Sequence, residues 1–95
     1  MEDKKESEEL KVFPNPFTDQ VNIDFGNTDL KEGTIRIYNI YGILMYEKPI
    51  GSPTQGSRIH WDGRDFAGNP VTPGVYFIQV QAGSKQISRT IIKIE

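Results

Sequence analysis

Ile59-His60-Trp61-Asp62-Gly63-Arg64-Asp65-Phe66-Ala67-Gly68-Asn69-Pro70-Val71-Thr72-Pro73-Gly74-Val75-Tyr76-Phe77-Ile78-Gln79-Val80 is the stretch that decides the fold. The single tryptophan ends a short extended run, a loop crowded with Asp, Gly, Asn and Pro follows, and a strand pattern closes the stretch. Beyond Gly74, the residues Tyr76, Ile78 and Val80 alternate with Phe77, Gln79 and Gln81, and a period of two sends the first three to one face. Dense turn residues beside strict alternation exclude a helical protein.

The same pattern extends outward in both directions. Val21, Ile23 and Phe25 alternate with Asn22 and Asp24, which makes a half-buried strand ended by Gly26-Asn27. Thr34 to Ile40 forms another, with Ile35 and Ile37 on one face and Arg36 and Tyr38 on the other. Asn39-Ile40-Tyr41-Gly42 then connects it as a hairpin to Ile43–Glu47, Gly42 supplying the positive φ of a tight turn. From Pro49 to Ser57 the chain reads as a loop, because Gly and Pro interrupt it repeatedly. Arg58 to Trp61 is a short strand, and Ala82-Gly83-Ser84-Lys85 is the last turn. The closing strand, Gln86 to Ile94, places Thr90, Ile92 and Ile94 on one face and Ile87, Arg89, Ile91 and Lys93 on the other. The adjacent pair Ile91-Ile92 leaves its register open. Near the start, Leu10, Val12 and Phe13 lead into Pro14-Asn15-Pro16-Phe17, where two prolines fix a rigid corner. About seven short, turn-marked strands predict an all-β fold, a single immunoglobulin-like antiparallel β-sandwich.

Size and composition agree with this. Ninety-five residues make one domain able to bury a core without metal or disulfide, and there is no cysteine. A formal charge of −2, with the eleven Lys and Arg scattered, gives no footprint for nucleic acid. No run reaches the roughly 18 to 20 apolar residues that span a bilayer, and the N-terminus lacks a signal peptide's apolar core. Glu2-Asp3-Lys4-Lys5-Glu6-Ser7-Glu8-Glu9 has nothing to bury, so residues 1–9 read as a disordered acidic linker, the remnant of a longer chain, and residues 10–95 as the domain.

Catalytic chemistry finds little footing. The one histidine, His60, sits beside Trp61 on a strand, and neither Ser57 nor Ser84 lies in a nucleophile elbow, so His60 reads as a surface residue. Asp62, Asp65 and Asn69 invite a calcium site, but the spacing is not that of an EF-hand, and Asp and Asn also cap turns through backbone amides two residues on. The structural reading is preferred, and no cofactor is implied. Trp61, Phe66, Tyr38, Tyr41 and Tyr46 offer a carbohydrate platform as one reading and core or cross-strand packing as the other, with Trp61 buried in the second. Arg58, Lys85, Arg89 and Lys93 put cations on or near the closing strand. They make either an edge guarded against aggregation or a docking strand read by strand addition.

Four pieces, taken together, carry a family likeness. Phe13-Pro14-Asn15-Pro16-Phe17, Ile37-Tyr38-Asn39-Ile40-Tyr41-Gly42, Gly74-Val75-Tyr76-Phe77 and a Lys-bearing last strand, in this order across residues 10 to 95, resemble the type A C-terminal sorting domain of type IX secretion cargo. The resemblance implies a secretion address in place of an activity. A cargo domain precedes the module, an outer-membrane shuttle protein and the type IX translocon receive it, and a sortase-like surface protease cuts before it, here in the charged segment ahead of Leu10. Carried over residue by residue, recognition falls on Gly74, Tyr76 and the last strand with Lys85, Arg89, Lys93 and Ile94. Pro14, Asn15, Pro16, Gly42, Trp61, Asp62 and Gly63 are the structural signature. Family chains often end in lysine, whereas this one ends Lys93-Ile94-Glu95. The stretch from Trp61-Asp62-Gly63 to Phe77 is also similar to the immunoglobulin-like domain of flagellar hook-capping proteins, which implies the alternative of an extracellular assembly or adhesion module. Exposed edge strands leave self-association open.

Overall fold

The computed structural model describes residues 10–26, 31–51 and 57–95. The acidic run at 1–9 and the middle of the Pro49-to-Ser57 loop, 52–56, lie outside the described residues. Seven strands follow one another: β1 (Lys11–Phe13), β2 (Val21–Asp24), β3 (Gly33–Asn39), β4 (Leu44–Ile50), β5 (Arg58–Trp61), β6 (Gly74–Ala82) and β7 (Lys85–Lys93). They form a three-stranded sheet, β1-β2-β5, and a four-stranded sheet, β4-β3-β6-β7, with every strand pair antiparallel. The expected all-β sandwich is therefore the observed one.

Alternation fills the space between the sheets. Val21, Ile23 and Phe25 enter from the smaller sheet with Trp61, and Ile35, Ile37, Tyr76, Ile78, Val80, Ala82, Ile87 and Ile91 enter from the larger. Trp61 is 2% exposed and gathers the aromatic part of the core. Its ring centroid lies 5.9 Å from Phe17, 6.1 Å from Tyr76 and 6.4 Å from Tyr46, distances at which ring edges and faces attract. The indole N–H is not left unpaired on burial, because it donates to the Arg64 carbonyl at 2.9 Å.

The closing strand and β3 each begin and end one residue earlier than the sequence reading has them, so Lys85 opens β7 and does not belong to the turn, and the largest difference is at the end of β4. β4 runs through Pro49 to Ile50, where the pattern suggested a strand ending at Glu47. β4 is an edge strand, and proline's missing N–H is tolerated there as it would not be inside a sheet. On the smaller sheet, Asp24 accepts from the Gly26 amide at 2.8 Å and from Arg58 at 3.2 Å. The Gly26 amide first, and Arg58 second, hold its carboxyl below its ordinary value.

Candidate recognition surface

The last strand is an edge of the four-stranded sheet, so one row of its backbone groups faces away from β6. Part of that row is already taken by the chain's own beginning. Asn15 Nδ2 donates to the Thr90 carbonyl at 3.0 Å, and Asn15 Oδ1 accepts from the Ile92 amide at 2.9 Å. Two residues on, the Phe17 amide donates to the Ile92 carbonyl at 2.9 Å and the Ile94 amide donates to the Phe17 carbonyl at 2.8 Å. Phe17 and Lys93 thus form a parallel bridge, and the segment from Pro14 to Phe17 straps the C-terminal half of β7 to the smaller sheet. Pro14 and Pro16 have no amide hydrogen to give, and the carboxamide between them acts in place of a peptide unit. Both X–Pro bonds are cis. Phe17 anchors the strap with its ring at 1% exposure against Trp61.

The recognition residues read from the sequence separate into two environments. Lys85 and Ile94 are exposed at the two ends of the strand, Ile94 at 47%. Arg89 is half-buried; its Nε donates to the Leu10 carbonyl at 3.2 Å and its Nη1 to the Ser88 carbonyl at 2.9 Å. Lys93, on the same inward face as Ile87 and Ile91, is 8% exposed, with its stem beside Gly63 and Phe17. It lines a polar recess of about 510 Å³ with Thr18, Asp19, Asp62, Arg64 and Glu95. Among the described residues no carboxylate lies within ion-pair distance of it, while Asp62 pairs loosely with Arg64 at 3.8 Å.

Gly74 opens β6 at φ +147°, where any side chain strains the backbone although space is free. Tyr76, two residues on, is buried, and its hydroxyl donates to the Thr72 carbonyl at 2.6 Å. A tyrosine that ties its strand back to the preceding loop is a known device of β-sandwiches. Side by side on the outer face of the sheet, Phe77 opposes Thr90 and Val75 opposes Ile92, with Tyr38 beyond Phe77. Phe77 and Ile92, 38% and 40% exposed, make this end of the face apolar. The β6–β7 hairpin therefore presents an apolar outer face beside a partly strapped edge.

Two turns at the Gly74 end are built alike, a feature the sequence reading missed. Asn39 Oδ1 accepts from the Tyr41 and Ile43 amides, while the Gly42 amide donates to the Asn39 carbonyl and the Asn39 amide to the Ile43 carbonyl. Asp65 Oδ1 accepts from the Ala67 and Asn69 amides, with the same pair of main-chain bonds to Gly68 and Asn69. Gly42 and Gly68, at φ +79° and +85°, take the left-handed position in each. The shared spacing, an Asn or Asp three residues before a glycine, is the signal that would have found them. One oxygen of Asp65 is thus committed to amides, which is the turn chemistry preferred over calcium, and no cluster of metal-ligating side chains occurs among the described residues. Between the turns runs a groove of about 370 Å³, lined by Tyr41, Met45, Pro70, Pro73 and Tyr76.

Other candidate chemistry is dispersed. His60 is exposed on β5 and Ser84 lies in the β6–β7 turn of the other sheet. The five aromatics do not form one platform: Trp61 is buried, Tyr46 stacks between it and Phe66, Tyr38 lies on the outer face, and Tyr41 is 80% exposed on its turn.

Comparison with known proteins settles the family. The model of the secretion system C-terminal sorting domain matches residues 11–95. The chain belongs to this family. No curated protein matches it. Among solved structures it is similar to PorZ, described as an essential bacterial surface component of the type-IX secretion system of Porphyromonas gingivalis. The TM-score is 0.70 at 23% identity, over 95% of this chain and 12% of that one. Dimeric latent PorU from the same organism follows with a TM-score of 0.63 at 22% identity, over 90% of this chain and 9% of PorU. FlgD from P. aeruginosa gives 0.55 at 18% identity, over 90% of this chain and 65% of that one. The chain thus spans about a tenth of PorZ and of PorU, and the three likenesses establish the sandwich fold, that of FlgD included.

Proposed function

We propose that this sorting domain addresses a larger cargo protein to the type IX outer-membrane translocon and thence to the cell surface or beyond. The family match through the last strand carries this reading, and the PorZ and PorU folds are consistent with it. The domain has no turnover of its own, since the cargo ahead of it supplies the chemistry. An outer-membrane shuttle protein reads the β6–β7 hairpin, using the β7 edge with Lys85 and Arg89, the exposed Ile94, and the outer face beside Gly74 and Tyr76. Lys93 contributes from inside, by holding the end of the strand against Gly63. A sortase-like protease then cuts ahead of Leu10 and frees the cargo. The alternative, an assembly or adhesion module, is supported by the FlgD fold alone.

A fusion of residues 10–95 to a fluorescent reporter with its own periplasmic signal, expressed in a type IX-competent cell, tests this. Reporter at the surface or in the medium is the expected result. Retention in the periplasm, in cells that still export their own cargo, sinks the reading.

A further inference from the structure

Backbone groups of alternate residues leave an antiparallel edge strand on its free side. The bonds made by Thr90, Ile92 and Ile94 show which residues these are, and the same period puts the outward groups of the other half on Gln86 and Ser88. Among the described residues no backbone group pairs with those two from that side; the Ser88 carbonyl takes the Arg89 guanidinium. The free edge therefore begins at Lys85 and stops where Asn15 stands.

Asn15 and Phe17 hold their parts of the edge with unequal strength. Phe17 is a buried aromatic anchor using main-chain groups, whereas Asn15 is exposed and uses only its side chain. A strand growing along β7 from Lys85 first shares the Ser88 carbonyl with the Arg89 guanidinium, since a carbonyl accepts twice, and then meets the Asn15 carboxamide, which rotation of one side chain clears. The next contact is Phe17, which yields only if the aromatic core opens. Lys85 and Arg89 flank the inward-facing Ile87 four residues apart, and neither has a carboxylate partner among the described residues. An extended segment with two acids at that same spacing complements them.

We propose that β7 from Lys85 to Ile92 takes an extended acidic segment of a partner protein by strand addition, that the Asn15 carboxamide is the latch this segment displaces, and that Phe17 is the stop fixing its register. The latch regulates the edge assigned to recognition above and rests on that reading for its biological consequence. The two fail separately, because the latch is measured without any secretion machinery.

The probe is a fluorescein-labelled peptide, Thr-Glu-Thr-Val-Thr-Glu-Thr, titrated at low salt into the full chain, with amide hydrogen exchange followed in parallel. Asn15→Ala is expected to speed exchange at Ile92 about tenfold, the effect of roughly one lost backbone hydrogen bond, with the central strand β6 unchanged. Peptide affinity should rise by a similar factor, fall on Lys85→Glu, and vanish when the two glutamates become lysines. In the unaltered chain, Ile92 should exchange before Ile94, because the latch opens before the stop; this needs no variant. Equal exchange at Ile92 and Ile94 would overturn the latch. So would faster exchange in Asn15→Ala without tighter peptide binding, or no peptide binding at all, which would leave β7 a guarded edge. Failure of the unaltered fusion to be exported counts against the sorting reading alone.

Discussion

Replacing Tyr76 by phenylalanine removes one oxygen from a buried side chain and leaves its ring in place. The ring still meets Trp61 at 6.1 Å, so the aromatic packing of the core persists. What is lost is the 2.6 Å bond to the Thr72 carbonyl, which ties the long Asp62-to-Pro73 connection to the start of β6. A net hydrogen bond of this kind is worth about 0.5–1.5 kcal/mol, and a carbonyl left without its partner sets the cost at the upper end, about 1.5. With the urea dependence of a small domain, about 1–3 kcal/mol per molar, that lowers the unfolding midpoint by roughly 0.5 to 1.5 molar. Trp61, the only tryptophan, lies in the same cluster and reports the transition by its emission. Tyr76→Ala should cost about 3–5 kcal/mol, much of a total stability of about 5–15. If Tyr76→Phe stays within the roughly ±0.5 kcal/mol of an inert surface change, the tie between loop and strand does not act as argued. If it costs as much as alanine, the ring is not what fills the site.

Other substitutions separate backbone, turn and charge effects. Gly74→Ala meets no atom but forces a side chain into a glycine-only conformation, and should lower stability by about 1–3 kcal/mol in the same urea assay. Asp65→Ala removes a side-chain acceptor from two amides and should cost about 1 kcal/mol, while Asp65→Asn costs less and excess calcium or chelator leaves the thermal midpoint of the unaltered chain unchanged. Asp24 has a carboxyl pKa lowered from its ordinary 3.8, so its contribution to stability is complete above that value and is lost as pH falls through the lower, folded-state one. A carboxyl NMR titration of Arg58→Ala should move Asp24 only part of the way back, because the Gly26 amide is the larger cause.

The inward residues of β2, β3 and β6 were legible from alternation, since a strand with one buried face writes its register into a period of two. Trp61 was legible as core for a related reason: one large aromatic before a turn cluster in a small chain has few other places to go. The strap was not legible. Pro14-Asn15-Pro16 announces a corner, but its bonds reach Thr90 and Ile92, more than seventy residues away, and no local pattern encodes a partner at that distance. The depth of Lys93 was hidden too. Alternation placed it inward, yet the approach of the Gly63 turn to its Cε is made by tertiary packing that no local pattern encodes. The strand through Pro49 escaped the sequence reading because the tolerance of an edge for proline depends on sheet order, which the sequence does not print.

Where an exported reporter goes when it is fused to residues 10–95, and when it is fused to the same segment ending at 84, decides whether this domain is a sorting signal read at its terminal hairpin. The domain-bearing reporter should reach the surface or the medium of a type IX-competent cell, and the shortened one should stay in the periplasm. Equal distribution of the two reporters would contradict the claim.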